Sequence, residues 1–295
     1  MGMVFTFDRE NGEPIYAIEE LPVPQVAMLG EVLSKTQPFP VAPPPLVPHK
    51  LDLDNLYGPT PQHVKECKAL AKGMPSPEIY TAHLSSGTIQ VPGALGGSNW
   101  GGATFDAERQ ILVVPVAHFP MIMTLSKKKG IGLLKAIAAD VLSRHRPNVF
   151  PMMGTPYGMS VKVFAAKDGT PCVAPPWSKL VAVEMSTGSV LWEAPLLNQL
   201  GNNVAHGKHI TLGGAISTAG GITFIAATPD EMFRAFDTRT GKLLWEHALP
   251  ASGHATPMSY EINGQQYVVI SAGGSDIGGT ERADHLVAFR LDVKP

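Results

Sequence analysis

The chain has 295 residues, 44% hydrophobic and 16% charged, proportions that suit a globular protein with a large core. With 23 Lys+Arg against 25 Asp+Glu it carries no basic footprint for nucleic acid. No run reaches the ~18 consecutive apolar residues of a membrane helix.

Met1 leads straight into the alternating Val4-Phe5-Thr6-Phe7, which reads as a strand and not as a secretory leader. From Leu21 to about Pro61 the chain carries Pro22, Pro24, Pro38, Pro40, Pro43-Pro44-Pro45 and Pro48, the texture of an extended excursion across a surface. A hairpin is expected at 104–114. The basic run Lys127-Lys128-Lys129 beside Gly130 reads as a solvated loop, and apolar Ile131, Leu134, Ala138 and Leu142 predict a short helix over 131–142. Strands follow at 222–226, 267–271 and 285–290. The 30 glycines and 27 prolines that cut these short runs favour an all-β protein.

Three stretches, 5–16, 181–192 and 234–245, share one template. Each is a strand, an acidic residue (Asp8, Glu184, Asp237), a turn ending in Gly12, Gly188 or Gly241, and a second strand ending in Tyr16, Trp192 or Trp245. The acid can accept from turn amides, and Gly supplies the positive φ of a tight hairpin. The aromatic is a large body suited to the seam between neighbouring sheets. The spacing of Trp192 and Trp245 is close to the ~40–50 residues of a propeller blade. A propeller closes only when its first and last blades meet. Three or four repeats, with Met1 falling inside a hairpin, predict part of a ring whose remaining blades lie outside residues 1–295.

With these repeats, the chain resembles the eight-bladed quinoprotein dehydrogenases, of the membrane-bound glucose dehydrogenase type. The matching stretches run in family order from Phe7-Asp8-Arg9-Glu10-Asn11-Gly12-Glu13-Pro14, through Pro92-Gly93-Ala94-Leu95-Gly96-Gly97-Ser98-Asn99-Trp100-Gly101 and Pro171-Cys172-Val173-Ala174-Pro175-Pro176. They continue through Leu212-Gly213-Gly214-Ala215 and Thr256-Pro257-Met258-Ser259-Tyr260 to Ser271-Ala272-Gly273-Gly274. The resemblance implies a partial eight-bladed, all-β propeller with tryptophan-docking repeats. It also implies pyrroloquinoline quinone (PQQ) as cofactor and Ca²⁺ in the intact enzyme. A sugar, polyol or cyclic alcohol is the implied substrate and ubiquinone the electron acceptor, in a periplasmic protein held to the membrane by an N-terminal anchor.

Carried over residue by residue, Asn99 becomes the principal cofactor contact, with Trp100 packing beside it and Leu212 lining the pocket through its backbone. His254 and Ser275 are expected at the substrate pocket. Ser275 stands where glucose-oxidising relatives have a His, so polyols or cyclic acids such as quinate join glucose as substrates. The family's catalytic Asp, its calcium ligands and a quinone-binding Lys align upstream of Met1. This chain is therefore expected to hold no catalytic residue and no metal ligand set, and to be inactive alone. Gly pairs 96–97, 213–214, 220–221 and 273–274 are expected where strand ends crowd the propeller axis. In the periplasm, Cys67 and Cys172 either pair, clamping the Pro-rich excursion to the ring, or stay free.

The competing readings have little support. His206 and His209 lack a nearby carboxylate or Cys to complete a metal shell. No Gly-x-Ser-x-Gly elbow, P-loop or dinucleotide fingerprint opens a helix. A non-catalytic propeller that holds partner proteins is the alternative, but it does not require the Gly-Gly-Ser-Asn-Trp stretch.

Overall fold

The computed structural model describes residues 1–127, 150–152, 154–197, 211–276 and 278–291. The helix expected at 131–142 and the His206–His209 pair lie outside these residues.

The Pro-rich excursion contains a two-stranded ribbon, β1 (Ile18–Pro22) with β2 (Thr36–Pro40), and is followed by helix α1 (Pro61–Ala71). The helix was not legible in the sequence because only Cys67 and Ala71 are buried along it. Its start is nevertheless regular: Thr60 caps it by accepting from the His63 N–H, and Pro61 occupies the first turn, where its missing N–H costs nothing.

Antiparallel sheets make up most of the remainder. β3 (Thr88–Gln90) pairs with β6 (Met121–Lys127), which pairs with β8 (Tyr157–Val163), with β7 (Phe150–Pro151) at the edge. β4 (Thr104–Asp106), β5 (Ile111–Ala117), β9 (Ser178–Glu184) and β10 (Ser189–Leu197) form the second sheet. β5 and β9 are direct neighbours although the chain builds β6 to β8 between them. The third sheet is a simple meander of β11 (Ala215–Ser217), β12 (Ile222–Ile225), β13 (Met232–Asp237) and β14 (Leu243–Ala248). The fourth is β15 (Met258–Ile262), β16 (Gln265–Ala272) and β17 (His285–Arg290). Alternation along β9 and β5 feeds two cores at once: Leu180 and Ala182 face the third sheet, while Val181 and Val183 face Leu46 and Val47.

The template hairpins behave as their chemistry demands. Asp237 Oδ1 accepts from the Arg239 and Thr240 amides at 3.1 and 2.8 Å, and Gly241 takes φ +70°. Glu184, one methylene longer, takes the Thr187 hydroxyl instead. In the Gly-less hairpin at 104–114, Gln110 adopts φ +56°, and buried Asp106 accepts from the Arg109 amide and guanidinium. The expected strand at 4–7 is reduced to a single bridge between Phe7 and Pro14, since Pro14 has no N–H to extend a ladder.

The aromatics dock from one hairpin to the next. The Tyr16 hydroxyl donates to the Met185 carbonyl, and its ring lies against Gly188. At the matching positions one repeat later, Trp192 Nε1 donates to the Thr238 carbonyl at 3.0 Å and the indole covers Gly241. A Cβ on Gly241 would come within 2.6 Å of the indole, so the seam requires glycine there.

Cys67 and Cys172 form a disulfide that ties α1 to the segment after β8. The same junction carries a His63 Nε2–Asp168 Oδ2 contact of 2.7 Å and the Lys167 amide donating to Glu66. The clamp thus acts through the helix after the Pro-rich ribbon. Among the described residues no helix is long and apolar enough to cross a membrane.

Candidate functional site

Four loops converge at the ends of β4, β11, β15 and β16. Residues 96–101 lead into β4, 212–214 into β11, 253–256 into β15, and 275–280 follow β16. Their backbones are in contact. A Cβ on Gly101 would lie 2.2 Å from the Gly213 carbonyl, and one on Gly213, at φ +101°, 2.4 Å from the His254 oxygen. Gly214 meets Gly101 and the Thr256 hydroxyl in the same way. These glycines serve close approach of backbones, Gly213 and Gly214 being one of the four pairs singled out in the sequence. Gly274, in the fourth pair, also crowds the Glu281 carbonyl. Gly220–Gly221 does not: it forms the β11–β12 turn, with Gly221 beside the Arg109 guanidinium.

Asn99 is partly exposed. Its Oδ1 accepts from the Trp100 amide at 2.7 Å and its carbonyl from the Gly102 amide at 2.9 Å. The side chain therefore caps its own turn and leaves Nδ2 as the donor. Trp100, expected to pack beside Asn99, is 67% exposed in this structure. Leu212 is buried at 3% exposure, and its N–H donates to the Ala227 carbonyl.

His254 is 6% exposed. Its Nε2 meets the Thr280 hydroxyl at 3.2 Å, and its buried Nδ1 has no protein partner. Burial pushes this imidazole below its ordinary range; the Leu212 and Ala227 backbones oppose the shift without satisfying Nδ1. Ser275 is joined to His254 through the same hydroxyl, since Thr280 Oγ1 also accepts the Ser275 amide at 2.8 Å. Ser275 Oγ in turn accepts from the Gly278 amide at 3.1 Å. The two expected pocket residues therefore meet through one hydroxyl, that of Thr280, which was not singled out from the sequence. Among the described residues no three His, Cys, Asp or Glu stand together as a metal site.

The family model described as "PQQ: Glucose/ethanol/alcohol dehydrogenase, beta-propeller domain" matches residues 1–268. The chain belongs to this PQQ-dehydrogenase propeller family. It is 39% identical over 305 aligned residues to quinoprotein glucose dehydrogenase A of Acinetobacter calcoaceticus, covering 98% of this chain and 37% of that protein. Against the quinate/shikimate dehydrogenase (quinone) of Acinetobacter baylyi the figures are 33%, 99% and 37%. The chain thus spans little more than a third of the relatives it matches. A europium-containing methanol dehydrogenase shares the fold at a TM-score of 0.52 and 17% identity, over 92% of this chain and 35% of that one.

The family's cofactor is a quinone, and the chemistry of these loops suits it in part. Asn99 Nδ2 is a neutral donor, the Trp100 indole stands exposed beside it, and His254 Nδ1 is an unpaired polar atom behind the glycines. The quinone's carboxylates find no Lys or Arg in these four loops.

Proposed function

We propose that the chain forms one wall of the cofactor and substrate site of a periplasmic, membrane-associated PQQ-dependent dehydrogenase. Its substrate is a sugar, polyol or cyclic alcohol, and its electrons pass to ubiquinone. The observation that carries this reading is the convergence of the Asn99, Leu212, His254 and Ser275 loops, distant in sequence, on one glycine-lined surface.

When bound, PQQ would supply the hydride acceptor for oxidation of the substrate hydroxyl, and Ca²⁺ in the intact enzyme a Lewis acid. This chain's residues orient and seal. Asn99 would donate to the quinone edge and Trp100 would cover it from the side, while buried His254 supports the loops behind them. The Thr280 hydroxyl fixes the orientation of that imidazole. The general base, the calcium ligands and the cations that match the quinone's carboxylates belong to the two thirds of the relatives' length that this chain does not span. The chain alone, given PQQ and Ca²⁺, is expected to oxidise no polyol.

Quenching of tryptophan fluorescence by PQQ tests the wall directly. Wild type should bind saturably. Asn99→Ala should bind about tenfold to a hundredfold more weakly, the value of one hydrogen bond to a charged or strongly polar acceptor. Equal affinity in the two would remove Asn99 from the site.

A further inference from the structure

The 275–280 loop is joined to the wall differently from the other three. Those meet backbone to backbone, at Gly101, Gly213 and the His254 carbonyl. This loop has a neck held by backbone, where the Gly274 amide donates to the Ser252 carbonyl at 3.0 Å and the Ala283 amide to the Gly273 carbonyl at 2.9 Å. Beyond the neck it rests on the His254 imidazole. A Cβ on Gly278 would lie 2.9 Å from Nε2, and the Thr280 hydroxyl stands 3.2 Å from the same nitrogen. One hydroxyl can therefore set this joint without disturbing the glycine contacts.

A threonine hydroxyl has one proton to give and two lone pairs. Here one lone pair takes the Ser275 amide at 2.8 Å, and the Thr280 amide returns a bond to the Ser275 carbonyl at 2.9 Å. That carbonyl is 3.5 Å from the hydroxyl and already occupied, so the hydroxyl proton goes to His254 Nε2. The imidazole is thereby held in its Nδ1–H tautomer. Thr280 grips Ser275 at both its amide and its carbonyl, and orients His254 with the same oxygen.

Ser275 is partly exposed. Its Oγ accepts the Gly278 amide at 3.1 Å, and among the described residues no acceptor takes its proton. With its backbone gripped and its oxygen engaged, this hydroxyl is an oriented, neutral donor. The charges beside it match each other. Arg282 Nε donates to Asp276 Oδ1 at 2.8 Å and Nη2 pairs with Oδ2, while Glu281 is exposed.

We propose that Thr280 is a positioning residue of this site: its hydroxyl aims the Ser275 hydroxyl as a donor to a substrate oxygen and holds His254 in one tautomer. The proposal rests on the dehydrogenase reading above and deepens it. The ligand chemistry it requires is an alcohol oxygen able to accept one hydrogen bond.

Two-dimensional ¹⁵N–¹H NMR of the full chain tests both halves, with glycerol and quinate as probes. In wild type the His254 ring should show a single tautomer, and the Ser275 and Gly278 amides should shift as either probe is added. Thr280→Val keeps the side chain's shape and removes its hydroxyl. It should mix the tautomers and weaken both probes about tenfold, the cost of one lost hydrogen bond. Thr280→Ser should restore both properties. Ser275→Ala should weaken the probes to the same degree while the ring keeps one tautomer, and it carries the test if Thr280→Val fails to fold. A single tautomer in folded Thr280→Val overturns the proposal. So does undiminished probe binding in Ser275→Ala, or a wild-type Ser275 amide that ignores both probes. PQQ quenching on the same wild-type sample separates the two readings. Quinone binding without a Ser275 response removes the Thr280–Ser275 role alone, whereas absence of quinone binding removes the dehydrogenase wall itself.

Discussion

Trp192 and Trp245 occupy the same place in two copies of one template, yet their surroundings differ. The Trp192 indole is bonded to Thr238 and seated on Gly241, with Ile225, Ala227 and Phe236 among the core beneath. Trp245 remains 38% exposed and faces a cleft of ≈ 340 Å³ between the third and fourth sheets. It makes an edge contact with Phe289 at 5.2 Å and stacks on His247 at 5.8 Å. The difference lies in what receives the ring. Tyr16 and Trp192 each find the carbonyl and glycine of the following hairpin turn, while among the described residues Trp245 meets no such turn. An aromatic at the end of a repeat marks a seam. The turn opposite it closes that seam.

Removing the closed contact should have the largest effect. Trp192→Ala is expected to lower stability by about 3–5 kcal/mol, since it vacates the core and frees the Thr238 carbonyl. Urea unfolding would measure it. Trp245→Ala should cost about 1–2 kcal/mol in the same assay, because its ring already faces solvent on one side. Equal losses would mean that the two seams are equivalent in solution.

The disulfide comes next. Its closed loop of sequence separation 105 places Cys67→Ala/Cys172→Ala at a loss of about 4 kcal/mol relative to the oxidised protein. A reductant-insensitive melting temperature would contradict that.

His118, on the closed side between β5 and β6, gives a pH-dependent comparison. Burial, helped by the Lys179 charge, depresses its imidazole from 6.5 to about 4. The unfolded chain therefore binds a proton that the folded chain refuses between those values. Stability from this residue is intact above about pH 6.5, falls as pH drops, and levels off near pH 4, a total of about 3 kcal/mol. His118→Phe should flatten that part of the profile, and an unchanged slope would show that the ring is hydrated.

The sheets were readable where local chemistry and pattern agree. Asp237-Thr238-Arg239-Thr240-Gly241 specifies its own turn, and β12, β16 and β17 stand where alternating apolar runs put them. The ribbon β1–β2 was hidden by its prolines, which signal extended chain but not pairing. Helix α1 buries too little of one face to show a period, and the pairing of β5 with β9 depends on contacts between segments far apart in sequence. At the site, the Gly-Gly-Ser-Asn-Trp and Leu-Gly-Gly stretches were recognisable through resemblance. Only the structure shows that Thr280 joins His254 to Ser275 and that Trp100 projects outward.

The central claim is that quinone meets this chain at the Asn99–Trp100 edge. Fluorine labelling of the four tryptophans, with ¹⁹F NMR during PQQ addition, tests it most directly. The Trp100 resonance should shift and broaden while those of Trp177, Trp192 and Trp245 hold still. A response confined to Trp245, at the open cleft, would place the quinone elsewhere and contradict the account.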